Sequence, residues 1–145
     1  MTVKVESDEY QELRAQVKLG SEINRKESFT SWVFSENQKC SASKLAEAGF
    51  YFIGSKNEPD AVQCFLCGKS LDGWEEDDDP WQEHKKHSQN CKFAKLGKPE
   101  RELTVIQFLE IQMEVVRNWV IKLYENRKIE ITNKQKMLKK LGRSM

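Results

Sequence analysis

Three of the four cysteines and both histidines of this chain fall within 28 consecutive residues, Cys64 to Cys91. The spacing Cys64-x2-Cys67-x16-His84-x6-Cys91 offers three thiolates and one imidazole, the donor set of a closed tetrahedral zinc site. A C-x-x-C pair lets two thiolates reach one ion from a tight turn, here Cys64-Phe65-Leu66-Cys67-Gly68. Other chemistries fit less well. Scattered core cysteines would not share this spacing with an intervening histidine. A catalytic zinc keeps an open coordination position, and this set fills all four. Gln63-Cys64 faintly echoes a thiol-protease motif, but Phe65 and Leu66 do not continue it, and the thiol is already claimed. The spacing therefore predicts one structural Zn2+ held by Cys64, Cys67, His84 and Cys91, able to contribute on the order of 10 kcal/mol to folding. Cys40 lies outside the pattern and reads as an incidental thiol.

Such a contribution is needed, because the apolar content is thin. The 145 residues carry 24 basic and 23 acidic side chains, a net charge of +1, 38% hydrophobic residues and a mean hydropathy of −0.74. That length allows one domain with an appendage, and excludes a Rossmann-type or barrel enzyme of roughly 200 residues or more. No run of about 18 apolar residues is present to span a bilayer. Met1 to Asp8 lacks the apolar core of a secretory signal, so reducing surroundings are expected, in which metal ligation wins over disulfides. The near-zero net charge argues against a dedicated nucleic-acid binder, while leaving local charged patches open.

The elements that must position the ligands can be read in turn. Residues 1–24 are polar, with a weak helical pattern through Tyr10, Leu13 and Val17. Residues 25–98 hold most of the aromatic, glycine and cysteine content and form the predicted zinc domain. Within it, Lys44 to Gly49 reads as a short helix ending at Gly49 as a C-cap. Gly49–Gly54, Ala61–Phe65 and Lys69–Trp74 read as three strands of a small antiparallel sheet. Asp79-Pro80 starts a further helix, with the carboxylate as cap and proline in the first turn. His84 and His87 then lie three residues apart on nearly one face, so His84 turns to the metal while His87 sits at the rim. Across residues 99–145, Val105, Phe108, Leu109, Met113, Val116, Trp119, Val120 and Leu123 recur at spacings of three and four. The expected fold is thus a small α+β zinc domain followed by one long amphipathic helix, about 60 Å if unbroken. Its first turns, Val105 to Leu109, are expected to pack on their own domain. The face carrying Leu109, Met113, Val116, Trp119, Val120 and Leu123 is expected to meet partner helices. Lys134 to Arg143 holds five basic and no acidic residues, a solvated helix end or a contact for nucleic acid or an acidic protein.

The zinc spacing occurs together with Gly73-Trp74-Glu75 and Asp79-Pro80-Trp81-Gln82-Glu83-His84. It is also accompanied by Arg25, Ser28-Phe29-x-x-Trp32, Leu45-Ala46-x-Ala48-Gly49-Phe50 and Asp60-x-x-x-Cys64. This combination resembles the baculoviral inhibitor-of-apoptosis repeat (BIR) family over about residues 25–120. One repeat followed by one long helix, with Asn57-Glu58-Pro59-Asp60 and Glu102-Leu103-Thr104, is similar to the single-repeat, chromosomal passenger type of that family. The resemblance implies the BIR fold and a non-enzymatic adaptor. Its helix would bundle with borealin-like and INCENP-like helices, the latter tethering Aurora B kinase. Its repeat would bind the histone-three tail beginning Ala-Arg-phosphothreonine. The implied locations are nucleus and chromosome, first the centromere and then the spindle midzone and midbody, together with cytoplasm. The alternative within the family is a cell-death inhibitor that binds caspases or Ala-starting antagonist peptides. A ubiquitin ligase would need a second metal cluster, for which no cysteines remain.

The residues bear on that chemistry independently. From Asp72 to Glu83 there are seven acidic residues and no basic one, a segment suited to a free α-amine and a basic tail. The resemblance implies that Asp72 and Asp78 hold the peptide amine, that Leu71 and Trp74 line the pocket for its first alanine, and that the peptide adds as a strand along Lys69 to Trp74. Lys69 and His87 stand where the phosphate is read, and many family members have an aromatic residue in the place of His87. The family's homodimer contact falls on Leu13, Val17, Leu103, Val105 and Phe108, although the linker Lys98-Pro99-Glu100-Arg101 departs from the pattern. Trp32 and Trp81 are expected in the core, and Arg25 is expected to anchor the N-terminal segment.

Overall fold

The structure is a computed structural model that describes residues 7–144. In chain order the elements are α1 (Asp8–Leu19), α2 (Glu22–Glu27), α3 (Ala42–Glu47), β1 (Phe50–Phe52), β2 (Val62–Cys64), β3 (Ser70–Leu71), α4 (Pro80–His87), α5 (Lys92–Leu96) and α6 (Val105–Arg143). The sheet is an antiparallel meander in the order β1-β2-β3, with Phe50 opposite Cys64 and Val62 opposite Leu71. The third strand is shorter than the expected Lys69–Trp74, because Gly73 takes a φ of 70° and turns the chain away. Gly49, at a φ of 99°, joins α3 to β1, and a Cβ there would lie 2.9 Å from the Phe93 ring. Glycine meets both demands at once.

The core gathers Leu45, Phe50, Val62, Phe65 and Phe93. Trp81 stacks on Phe93 at 5.3 Å, and Trp32 donates its indole N–H to the Cys40 carbonyl at 2.9 Å. Both tryptophans pack against the core, as expected. Arg25 is buried within it. Its Nε donates to the Ala46 carbonyl at 2.9 Å and its Nη1 to the Leu19 carbonyl at 3.0 Å, while the guanidinium lies 4.4 Å from the Phe65 ring centroid. Burial pushes its pKa down to about 10, against the pull of Glu100 and Glu22, so it remains charged near neutral pH. This one side chain ties the N-terminal segment to α3.

The long helix begins at a capping box, Thr104 with Gln107, and runs for 39 residues, about 58 Å. Its docking face differs from the expected one. Val105 and Leu109 are 75% and 52% exposed, whereas Ile111 and Val115 are 3% and 4% exposed against the core. The cause is the entry to the helix. A 3-10 turn at Glu100–Glu102 and the half-buried Leu103 occupy the domain surface first, so the helix meets the core one turn later. Asn118 then donates to the Leu66 carbonyl at 3.0 Å, and Lys92 pairs with Glu114 at 2.9 Å. Helix α1 lies antiparallel beside α6, since Gln112 donates to the Gly20 carbonyl at 3.3 Å and Arg127 pairs with Glu9.

This docking face predicts a contrast. Ile111→Ala should cost about 3 kcal/mol through lost burial and the cavity left behind, and Leu109→Ala less than about 1 kcal/mol. Urea denaturation of the two variants measures both, and equal losses would overturn the assignment.

Candidate metal centre and peptide edge

Local structure delivers each donor. Cys64 ends β2. The chain then turns through Gly68, at a φ of 72°, with the Gly68 N–H donating to the Cys64 carbonyl at 3.1 Å. His84 lies on α4, and Cys91 is the residue at which α5 begins. The ligand atoms all lie within 4.8 Å of one another, with Cys64 Sγ to Cys91 Sγ at 4.0 Å and Cys67 Sγ to His84 Nε2 at 3.8 Å. A tetrahedral zinc with bonds of about 2.3 Å to sulfur and 2.0–2.1 Å to nitrogen requires donor separations of roughly 3.5–3.8 Å. The cluster fits that ion.

The surroundings fit as well. His84 Nδ1 donates to the Ala48 carbonyl at 2.7 Å, which fixes the tautomer and leaves Nε2 free to ligate. Ser88 Oγ donates to Cys67 Sγ at 3.1 Å and the Leu66 N–H to Cys64 Sγ at 3.4 Å, both stabilising thiolate. Without a metal the four donors compete for protons. Burial pushes the Cys64 thiol well up, while hydrogen bonds from Cys64, Cys91, His84 and Ser88 pull Cys67 far down. Burial alone would lower His84, but its contacts with Cys67 and Cys91 hold it up at about 9. A dication displaces those protons, so affinity must fall with pH. Cys40 stands apart: its thiol donates to the Glu75 carbonyl at 3.0 Å, and burial raises its pKa.

On the sheet, β3 is the outer strand and has no strand partner on its far side among the described residues. Lys69 and Asp72, flanking it, are exposed, and Leu71 is half-buried. Trp74 is 7% exposed and packs edge-on against Phe50 at 5.8 Å, so it offers little surface. Its backbone N–H donates to the Asp60 carboxylate at 2.9 Å, while its indole Nε1 is buried without a hydrogen-bond partner. The acidic segment divides by role. Asp79 caps α4 through the N–H groups of Trp81 and Gln82, and Asp78 accepts from the Glu75 N–H at 2.8 Å. His87 is exposed and pairs with Glu83 at 3.2 Å. The Ser88–Cys67 bond joins the end of α4 to the turn preceding β3, which carries His87 and Lys69 to the same end of the domain.

The inhibitor-of-apoptosis (BIR) domain model matches residues 25–95. Baculoviral IAP repeat-containing protein 5 from Rattus norvegicus is 41% identical over 117 residues, covering 81% of this chain and 78% of the relative. The Mus musculus protein of the same name is 44% identical over 108 residues, covering 74% and 72%. Baculoviral IAP repeat-containing protein 5.2 of Xenopus tropicalis is 47% identical over 90 residues, covering 62% and 58%. The chain belongs to the inhibitor-of-apoptosis repeat family.

Within that family the chain carries one repeat and is similar to the survivin group; the structure has the expected BIR fold, and its Cys64, Cys67, His84 and Cys91 cluster fits one structural zinc. Of the residues expected to meet partner helices, Leu109, Met113, Val116 and Val120 are exposed, whereas Trp119 and Leu123 are half-buried. Trp119 lines a cavity of about 370 Å³ with Glu12, Gln16 and Leu66, between α1 and the zinc turn. Of the expected homodimer residues, Val17, Val105 and Phe108 are exposed, Leu13 is half-buried, and Leu103 packs on the core. Sequence reasoning missed the supports of the BIR metal centre, the Ala48 carbonyl and Ser88. The first carries no signal in sequence, because every residue has a carbonyl; the second is marked only by its place just beyond the ligand-bearing helix.

Native mass spectrometry should find one zinc per chain. Chelation should collapse the near-ultraviolet aromatic dichroism of the BIR domain, and His84→Ala should lose the metal. A metal-free chain with an unchanged spectrum would count against a structural role.

Proposed function

We propose that this BIR protein is a non-enzymatic adaptor of the chromosomal passenger type. In this reading the outer edge of β3 takes the histone-three tail beginning Ala-Arg-phosphothreonine, and α6 bundles with borealin-like and INCENP-like helices. The complex so formed targets Aurora B kinase to the nucleus and chromosome, at the centromere and then the spindle midzone and midbody, with a cytoplasmic pool. The observation that carries the peptide half is the open β3 edge, with the acidic segment after it, Lys69 just before it, and His87 next to Ser88, whose hydroxyl reaches Cys67 in the turn ahead of the strand. An added strand gains main-chain hydrogen bonds there. Asp72 is exposed beside the edge and would meet the peptide amine, with Asp78 adding its charge while it holds the loop through the Glu75 N–H. Lys69 supplies a point cation for phosphate, and His87 a donor once it turns from Glu83. Leu71 borders the first-residue pocket, and Trp74 forms its floor from beneath.

The helix half rests on the exposed stripe Leu109, Met113, Val116 and Val120, which repeats at four, three and four residues as a helix-packing seam does. A cavity of about 450 Å³ on that stripe is lined by Leu109, Gln112, Met113, Val116 and Arg117. The exposed Val17, Val105 and Phe108 leave a homodimer contact open as a competitor. The second reading is capture of Ala-starting antagonist peptides or caspases, favoured by the same edge and the family's name.

Titration with tail peptides, followed by Trp74 emission, decides between the two. The phosphorylated tail should bind at least ~10-fold more tightly than the unmodified one, and Lys69→Ala/His87→Ala should abolish that preference. Tight binding of an Ala-x-Pro peptide with no phosphate preference would favour the second reading. Val120→Asp should abolish co-purification with the partner helices while zinc content and folding persist. Trp119→Asp is the poorer probe, since it also disturbs α1.

A further inference from the structure

Beyond Arg127, which pairs with Glu9 of α1, the long helix leaves the rest of the chain, and from Tyr124 to Arg143 its described side chains are all exposed. After Glu125 there are seven basic residues and one acidic one, Glu130. Lys128, Lys136, Lys139, Lys140 and Arg143 are spaced as i, i+8, i+11, i+12 and i+15. At 100° per residue they fall within an arc of about 120° and extend about 22 Å along the axis. None of the five forms an ion pair with a described residue, and Lys128 lies 5.5 Å from the Tyr124 ring centroid. Glu130 lies on the opposite side of the helix. Glu125 shares the basic azimuth but precedes Lys128 by most of a turn.

We propose that this face is a surface for the phosphodiester backbone of nucleic acid, binding without sequence preference. From Lys136 the cations step along the face about one turn at a time, through Lys139 and Lys140 to Arg143, roughly 5 Å apart, with Lys128 about 12 Å before them, a row suited to neighbouring backbone phosphates. A protein partner fits less well, because interface centres are depleted in lysine and need apolar surface, and only Ile129 is apolar within this arc. A lipid surface fits less well too. The apolar stripe on the other side, Ile131, Leu138 and Leu141, is broken by Lys134, and no aromatic residue follows Tyr124 to anchor at an interface. The whole-chain charge of +1 conceals this region, since the remainder of the chain is acidic in balance. That remainder repels a polyanion, so nucleic acid engages the helix end and not the zinc domain.

Fluorescence anisotropy of a labelled 20-base-pair duplex with the zinc-loaded full chain tests this. Neutralisation of about four phosphates gives a log–log salt slope of about −3.6, so affinity should drop about 150-fold between 50 and 200 mM salt. Lys136→Gln/Lys139→Gln/Lys140→Gln/Arg143→Gln should flatten the slope to near −1 and weaken binding at 50 mM by more than ~30-fold. Lys26→Gln/Lys56→Gln/Lys86→Gln, which removes charge elsewhere, should leave the slope unchanged. Far-ultraviolet dichroism and zinc content establish that each variant is folded. Tail-peptide affinity of the quadruple variant should equal that of the parent, which separates this surface from the β3 edge. The proposal is overturned if the quadruple variant binds duplex like the parent or the control. It is also overturned if phosphatidylserine vesicles bind more tightly than duplex and Leu138→Ser/Leu141→Ser abolishes that binding.

Discussion

Four donor atoms converging on one point fix more of this molecule than any hydrophobic contact does. The zinc tetrahedron joins the turn after β2, the middle of α4 and the start of α5, three pieces too short to hold one another by packing alone. Each donor brings its element with it. His84 is also tied to α3 through the Ala48 carbonyl, so the metal fixes the helix before the sheet as well as the helix after it. Three thiolates and one dication leave a net charge of −1 within the core. Arg25, buried nearby over the Phe65 ring, is electrostatically coupled to Cys64. A lone buried guanidinium would be costly. Beside an anionic zinc–thiolate centre, with Glu100 and Glu22 also within reach, its charge is tolerated, and its donors meet the Ala46 and Leu19 carbonyls.

The same constraint explains what was legible in the sequence. Ligand spacing is a one-dimensional signal, because a tight turn and a helical offset dictate it, and it led to all four donors. Cap chemistry was equally readable at Asp79 before Pro80, a local device that acts within one turn; the Thr104–Gln107 box at the start of α6 is as local but was not read. The docking face of α6 was not readable. Both Leu109 and Ile111 belong to plausible apolar stripes, and the choice depends on the angle at which the 3-10 turn and Leu103 deliver the helix. That angle is a tertiary property. The half-burial of Trp119 beside α1 was hidden for a related reason, since α1 has no buried residue of its own and its weak pattern gave no hint of a docking site.

The acidic segment shows how one composition serves two purposes. Asp79 and Asp78 are committed to backbone N–H groups, and Asp60 holds the Trp74 N–H, so these carboxylates shape the loop. Asp72 and Glu75 are exposed and contribute field more than structure. The division matters for interpreting substitutions. Loss of Asp79 removes a helix cap worth about 1 kcal/mol, whereas loss of Asp72 alters only the potential at the strand edge. The Glu83–His87 pair belongs to neither group, because it must open before the imidazole can face a ligand.

A helix that extends about 58 Å from a domain with so thin a core is stable only if its faces differ in purpose. One face is spent on the domain through Ile111 and Val115. A second, Leu109 to Val120, is too apolar to remain wet over its length and too regular to be incidental. The third is basic and lies beyond the reach of the domain. If all three faces were apolar, the chain would aggregate; if all were charged, nothing would hold it to its neighbours. The angular separation of the apolar seam from the basic face lets a partner cover the one without burying the charges of the other. The average composition of the chain therefore describes none of its parts. Low mean hydropathy and near-zero net charge are the sum of a metal-stapled core, an unfilled apolar seam, an acidic edge and a basic tip, which act on different neighbours because the fold keeps them apart.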